Sequence, residues 1–421
     1  MDKSRQGKKV SQMVIFRLQG MVLATGLMAW VSPTAAQERF KPADSDVVAA
    51  SSVHGQTGRN GSLRALDQAW RAQPKNLDAS LAYARAVFTL GLTEGDLRWF
   101  GSAKAALTPW WQATDLPAEG YFLRGLVKQG FHEFDAGLQD IQQAIAKEPR
   151  RAEFWSWRFA LHLLLADMTA ARQDTEEIAR LFDMQEAHVY RAVLLYRTGQ
   201  AQPAVDLLNT AIREAYFQDP SSQDWLGFHL GEAHRVAGQS DKAIAAWDKQ
   251  LKVNPKSHLL RLSLAELLNQ QGKYRQAKTI ALGNADKLGT STITDALLMQ
   301  ALLASRGLKD PDEPQLAKQM ADRLQSQALR KESLIERPKL IYLIAYGQDP
   351  AAGLALSIDN WQLQKEPPDA LLFIQAALAV NQPRAAEPVV QWAEQTGYTD
   401  PPLKRLVEQL KQHPLWAGGR K

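Results

Sequence analysis

The 421-residue chain contains no cysteine. That excludes disulfides, thiol nucleophiles, Cys-ligated metals and a lipid-modified N-terminal Cys, and it is compatible with an oxidising compartment. A GxSxG elbow and a phosphate loop are missing as well. No run of alternating apolar residues is bounded by turns, so essentially no sheet is expected. Histidine is scarce, with eight in all. The nearest approach to a metal pattern is His229, Glu232 and His234. Five residues turn a helix by about 140° beyond one full turn, so the two rings do not converge on one ion. They are expected to be solvated helix positions, and no metal or cofactor is expected. A dense positive field is lacking too. The formal net charge is +5, but the first 36 residues hold five basic residues and one acid, which leaves 45 basic and 44 acidic residues beyond them. A nucleic-acid partner is therefore not expected.

What the chain does have begins with a leader. Met1 to Arg17 is basic and polar, and Gly20 to Val31 is a short apolar run. Ser32-Pro-Thr-Ala-Ala36 follows, with small residues Thr34 and Ala36 at the positions a signal peptidase reads. This is the layout of a secretory signal peptide over 1–36, cleaved between Ala36 and Gln37. The rival reading is a retained anchor, against which Arg17 and Gln19 interrupt the apolar run. The composition looks bacterial, so the expected location is periplasmic or secreted, with no membrane span after cleavage. Residues 37–61 are small and polar without periodicity, and read as a disordered spacer.

From there on the signal is a repeat. Trp225 to Pro255 and Leu259 to Leu282 superpose at an offset of 34 residues, placing Leu230 on Leu264, Gly231 on Ala265, Gly238 on Gly272 and Ala243 on Ala277. Gly231 and Ala265 are small where two helices cross closely. Ala243 and Ala277 let the return helix lie down. Gly238 and Gly272 supply the left-handed turn that only Gly adopts cheaply. Pro255 closes the first copy. Trp247 is expected to pack into the next repeat. Copies in the same frame start at 118, 152, 185, 224 and 258, preceded by an atypical first repeat over 76–117 that is stretched by the TEGDLRWFG region. Trp99, Trp110 and Trp111 read as core of that atypical unit. Ser62 is the expected N-cap of a helix ahead of it. Over 289–421 the pattern degrades but stays helical, with starts near Ser333 and Pro367, Asn381 replacing a turn glycine, and a capping helix over Leu403 to Gln412.

This period and these residues resemble the tetratricopeptide repeat, a helix–turn–helix unit. The resemblance implies an all-α fold: an α-solenoid of stacked hairpins forming a right-handed superhelix, each burying the stripe its neighbour leaves exposed. It also implies that the first helix of each pair lines a concave groove that binds a protein or peptide segment. Carried onto this chain, the groove residues are Glu119, Gln129, Arg197, Trp225, Phe228, Glu232, Arg235, Glu266 and Asn269, with Phe122, Glu153, Ser156, Val189, Val236, Leu259, Leu262 and Gln270 in equivalent places. The aliphatic members fit equally well as packing against the neighbouring first helix. The Lys, Asn and Arg set with which some members clamp a C-terminal carboxylate is not present, so a mixed polar and aromatic groove is expected.

Charge clusters elsewhere read as ordinary surface. Glu176 and Glu177 share a helix with Arg172 and Arg180, and Arg150-Arg151 and Arg330-Lys331 sit at helix junctions. The expected function is an exported, non-catalytic scaffold for protein–protein or protein–peptide interaction in the cell envelope. Two alternatives stand beside it. One is a cell-wall-acting hydrolase or ligand-binding enzyme, which needs Asp295, Asp310, Asp312, Glu336 or Asp359 to converge. The other is a purely structural spacer between envelope proteins.

Overall fold

A computed structural model describes residues 25–26, 59–94, 98–181, 184–213, 220–283, 293–329, 334–335 and 337–417. The expected signal peptide and its cleavage site, apart from Thr25 and Gly26, lie outside the described residues. So does the spacer up to residue 58. The spacer's last three residues are already helical, because α1 runs Arg59–Ala72 and Ser62 sits inside its first turn instead of capping it. Once a turn has nucleated, each added residue costs little, so the helix extends past a residue that could have capped it.

The chain is an α-solenoid in which neighbouring helices pack in antiparallel pairs. The pairs are α2 (Leu77–Glu94) with α3 (Arg98–Leu107), α4 (Ala118–Gly130) with α5 (Phe134–Lys147), and α6 (Ala152–Leu164) with α7 (Met168–Leu181). They continue as α8 (Met184–Arg197) with α9 (Ala201–Arg213), α10 (Pro220–Val236) with α11 (Ser240–Val253), and α12 (His258–Gln270) with α13 (Tyr274–Leu282). Helices Asp295–Leu308 and Glu313–Leu329 form a further hairpin. Arg337–Leu343, Pro350–Leu363, Pro367–Ala379, Glu387–Thr396 and Pro401–Gln412 complete the array. The stretched first repeat carries its extra length in α2, which has 18 residues against 13 in α4. The one extended pairing among the described residues is two residues a side, Thr25–Gly26 against Leu334–Ile335.

From α4 onward, several of the hairpins turn through a left-handed residue. The backbone φ is +79° at Gly199, +75° at Gly238, +69° at Gly272 and +79° at Gly347, and Asn381 adopts +59°. The same conformation falls on His132 (+63°) and Ala166 (+62°), where a side chain makes it costly. Lys309 does the same after Asp295–Leu308.

The crossings inside the hairpins are tight. A Cβ at Gly231 would lie 2.0 Å from Trp247 Nε1. The Trp247 indole therefore fills the space that Gly231 leaves, and its N–H donates to the Phe228 carbonyl at 3.1 Å. Trp247 also shares a buried cluster with Leu260 and Leu264 of the following repeat. In the α4–α5 pair a Cβ at Gly125 would meet the Gly137 carbonyl oxygen at 2.9 Å. Buried ion pairs bind helices at a constant spacing. Arg124 holds Asp140 through Nη2 at 2.6 Å and Nε at 2.7 Å. Arg158 and His162 both hold Asp174 at 2.6 Å. Arg124 also donates to the carbonyls of Trp110 and Ala113, tying the loop of the first repeat to the second. Trp99, Trp110 and Trp111 pack partly buried against the N-terminal cluster.

Two predictions follow from the turns and the crossings. Ala166→Gly relieves a left-handed alanine and stabilises the chain by about 0.5–1 kcal/mol in urea unfolding. Gly231→Ala forces Trp247 out of its seat and destabilises it by about 1–3 kcal/mol, read in the same assay.

Candidate functional site

The groove expected along the first helices divides into two sections. In the first, the residues come from α2, α4 and α6. Arg85 on α2 reaches Glu119 on α4 at 2.5 Å and Glu153 on α6 at 2.8 Å. Arg151, at the mouth of α6, pairs with Glu119 at 2.6 Å and Glu153 at 3.1 Å. Arg151 was expected as a plain surface charge. It is instead part of a four-membered row, because three successive first helices present these side chains at one level. Burial by itself would raise the Glu119 carboxyl, but the hydrogen bond and charge of Arg85, with Arg151 beside them, hold it below the ordinary carboxylate value. Under the row lie Phe122 and Phe154, with the Arg85 guanidinium 5.4 Å from the Phe122 ring and that of Arg151 4.5 Å from the Phe154 ring. The four charged side chains are a quarter exposed or less (25% for Arg85 and Glu119, 24% for Arg151, 16% for Glu153), so each keeps some contact with solvent.

Two residues expected to line the groove are core. Trp225 is 1% exposed and lies between helices, 5.2 Å from Tyr190 and 5.2 Å edge-on from His229. A large apolar ring at this level gains more from the neighbouring first helix than from water. Gln129 is 1% exposed and turns toward α5, where Gly137 leaves room for it. The apolar companions Phe122, Val189, Val236 and Leu262 are buried as well, and so is Ser156. Phe228 is partly buried against the cluster of Trp247. His229 and His234, expected as solvated, are both buried. The His229 Nδ1 meets the Tyr196 hydroxyl at 2.9 Å and the His234 Nδ1 faces Gln239 Oε1 at 2.8 Å. Burial pushes the His229 imidazole down to about 3, so it is neutral.

The second section comes from α8, α10 and α12, and the chain's own C-terminal helices fill it. Arg197, at the end of α8, faces Glu366 at 3.6 Å. Arg235, near the end of α10, pairs with Glu232 at 2.9 Å and with Asp400 at 2.8 Å. The same Asp400 oxygen accepts from the Tyr398 hydroxyl at 2.8 Å, while its other oxygen caps Pro401–Gln412 by accepting from the Leu403 N–H at 2.8 Å. Glu366 shares Arg337 with Asp369. A Cβ on Gly199 would lie 2.2 Å from the Gly397 carbonyl oxygen, and one on Gly238 would lie 3.2 Å from the Pro401 ring. The backbone N–H of Lys365 donates to the Leu164 carbonyl at 2.9 Å. Tyr398, Trp392 and Leu403 belong to the same buried cluster as Tyr190, Trp225 and Val236. Asn269 donates to the Gln300 carbonyl and side chain, each at 3.0 Å.

Glu366, Tyr398, Asp400 and Arg337 had not been singled out from the sequence. Asp400 lies 165 residues from Arg235, and local pattern carries no signal over that separation. The only legible hint was Asp400 preceding Pro401-Pro402, a helix-start pattern.

Acids that a hydrolase would need are held in ion pairs at separate places, except that Asp310 and Asp312 share one lysine. Asp295 pairs with Arg323 at 2.7 Å, Asp310 and Asp312 pair with Lys278, and Glu336 lies outside the described residues. Each of the paired acids bridges the two helices of a hairpin or neighbouring hairpins. No helix among the described residues is long and apolar enough to cross a membrane.

Glu266, on α12, makes no hydrogen bond or ion pair with another described residue. It looks onto Glu232, Arg235 and Arg337. Burial pushes its carboxyl from an ordinary 4.5 up to about 7; Arg337 and Arg235 oppose that and Glu232 adds to it. A carboxyl whose folded value is raised stabilises the fold most at low pH. That contribution is lost as pH rises from about 4.5 to about 7 and is absent above. Glu266→Gln is expected to flatten the pH dependence in that window and to make the chain more stable by about 2 kcal/mol at pH 8, measured as urea midpoints at pH 5 and pH 8.

Residues 228–278 match the family model for the tetratricopeptide repeat. No curated protein sequence matches the chain. Solved structures similar in fold include a tetratricopeptide repeat protein from Parabacteroides merdae, 17% identical, covering 58% of this chain and 92% of that one with a TM-score of 0.41. Another is PilW, a type IV pilus biogenesis factor, 14% identical, covering 54% and 98% with a TM-score of 0.40. A Rap protein in complex with competence and sporulation factor is 13% identical, covering 83% and 98% with a TM-score of 0.46. The match over 228–278 spans the seat of Trp247 and the turns at Gly238 and Gly272, the features that build the hairpins, so this stretch carries tetratricopeptide repeats within the all-α array of stacked hairpins.

Proposed function

We propose that the protein is an exported, non-catalytic scaffold that binds a protein or peptide segment in the bacterial cell envelope. The observation that carries this reading is the row Arg85–Glu119–Arg151–Glu153. Residues up to 68 positions apart are brought to one level by consecutive hairpins and left in partial contact with solvent. Phe122 and Phe154 are fully buried beneath the row and brace its guanidiniums, so what faces a partner is a line of paired charges, which suits the polar groups of an extended segment better than a small apolar molecule. The leader of residues 1–36 supports export, and the balanced charge beyond it agrees with a protein partner and not with nucleic acid.

Two measurements test this. Glu119→Gln with Glu153→Gln leaves the shape of the row and removes its negative charge. Crosslinking in the native cell is expected to lose specific adducts that the parent chain forms, with far-UV circular dichroism unchanged; an identical adduct set overturns the assignment of the row. For export, N-terminal sequencing of the protein recovered from the envelope fraction is expected to begin at Gln37. Recovery only from the cytosol with Met1 intact overturns it.

A further inference from the structure

The second section of the groove already has an occupant. Glu366, Lys365 and the segment 397–403 lie on the ends of α6, α8 and α10, where the first helices of a repeat array present their polar positions. An apolar seam runs under this segment, where Tyr398 and Leu403 join the buried cluster of Trp225 and Val236, and a set of polar contacts fixes its register. The polar contacts are Arg235 with Asp400 and Tyr398, Arg197 with Glu366, and one backbone hydrogen bond from Lys365 to Leu164.

The charge balance of this junction is unfavourable. Among the described residues, three guanidiniums (Arg197, Arg235, Arg337) face five carboxyls (Glu232, Glu266, Glu366, Asp369, Asp400). Buried ion pairs return little more than the desolvation they cost, and a surplus of like charge lowers the return further. They do define a register. Asp400 is fixed by its capping bond to Leu403 and is aimed at Arg235 by Tyr398.

We propose that Asp400 and Glu366 form a latch that holds the C-terminal helices in the groove, and that its release opens this section to a peptide segment carrying an aromatic hydroxyl two residues before a carboxylate. The occupant itself defines that chemistry. Tyr398 and Asp400 meet Arg235 from one side, and Gly397 fits against Gly199, where no Cβ is tolerated. A partner segment of the same kind would satisfy Arg235 and Arg197 as the chain's own segment does. This rests on the reading of the groove as a partner-binding face, but opening of the latch is measured without any partner.

The cysteine-free chain allows the test. Val236→Cys places a thiol beside Arg235 in the shared cluster, and Ala144→Cys places one in the N-terminal core as a control. Each is combined with Glu366→Gln and Asp400→Asn. Asn retains the capping acceptor for Leu403 while removing the charge. The thiol at 236 is expected to react with a disulfide reagent about 10-fold faster in the double variant, with the thiol at 144 unchanged. Equal rates at 236 in both backgrounds, or a matching rise at 144, overturn the latch, since the first means a permanent core and the second a general loss of stability. A fluorescein-labelled peptide of residues 395–404 is the second probe. It is expected to bind the double variant, and the same peptide with Asp400→Asn is expected not to. Faster thiol reaction without peptide binding overturns the stated partner chemistry and leaves the latch standing. Failure of the charged row at Glu119 and Glu153 to affect crosslinking bears on the wider scaffold reading and on neither of these results.

Discussion

Everything in this molecule depends on how closely the two helices of a hairpin can approach. Trp247 sits over Gly231 because any Cβ there would occupy the indole's place, and the indole N–H then binds the Phe228 carbonyl across the crossing. The α4–α5 pair reaches the same closeness with Gly125 against the Gly137 carbonyl. With backbones this near, the side chains left over on each hairpin form one apolar stripe. It can be buried only by the next hairpin, and the chain becomes an array. The left-handed residue between the helices is the second half of that constraint, since it returns the chain at the angle the crossing requires.

Because the array is periodic, polar groups repeat at one level and meet. Arg124–Asp140 and Arg158–Asp174 join first helix to second at the same spacing in consecutive hairpins. Each Asp accepts from two or more donors, the condition under which a buried pair is tolerated. On the other side of the first helices, Arg85, Glu119, Arg151 and Glu153 form a row that solvent can reach, whereas Arg197 and Arg235 are met by the chain's own acids. The two halves of one face thus have different chemistry available. One offers paired charges over aromatic rings. The other is closed by helices whose capping carboxylate doubles as the contact.

Much of the fold was legible beforehand, and particular residues show why. Gly238, Gly272 and Gly199 announce their turns, since few other residues accept a left-handed backbone. His132 and Ala166 adopt it without any such sign, because the crossing on either side imposes it. Trp225 was read as groove-lining from its place in the repeat, yet the place determines only the direction of the Cα–Cβ bond. Whether that direction leads to water depends on Tyr190 and His229 beside it. Arg151 reversed the error. It looked like a surface charge at a helix junction and is held by two carboxylates, Glu119 of α4 and Glu153 of the helix it caps.

The sequence by itself determined the architecture: the period of 34 residues, the small residues at the crossings and the turn glycines leave a stacked helical array as the arrangement that buries the apolar stripes. It also named most of the polar residues along the first helices. Only the tertiary structure decided which of these face water and which face the chain's own far end. The reason is physical. Periodicity is a local property that each hairpin carries in itself. The meeting of Arg235 with Asp400, by contrast, is the sum of small rotations accumulated over the intervening repeats, and no short stretch of residues encodes that sum.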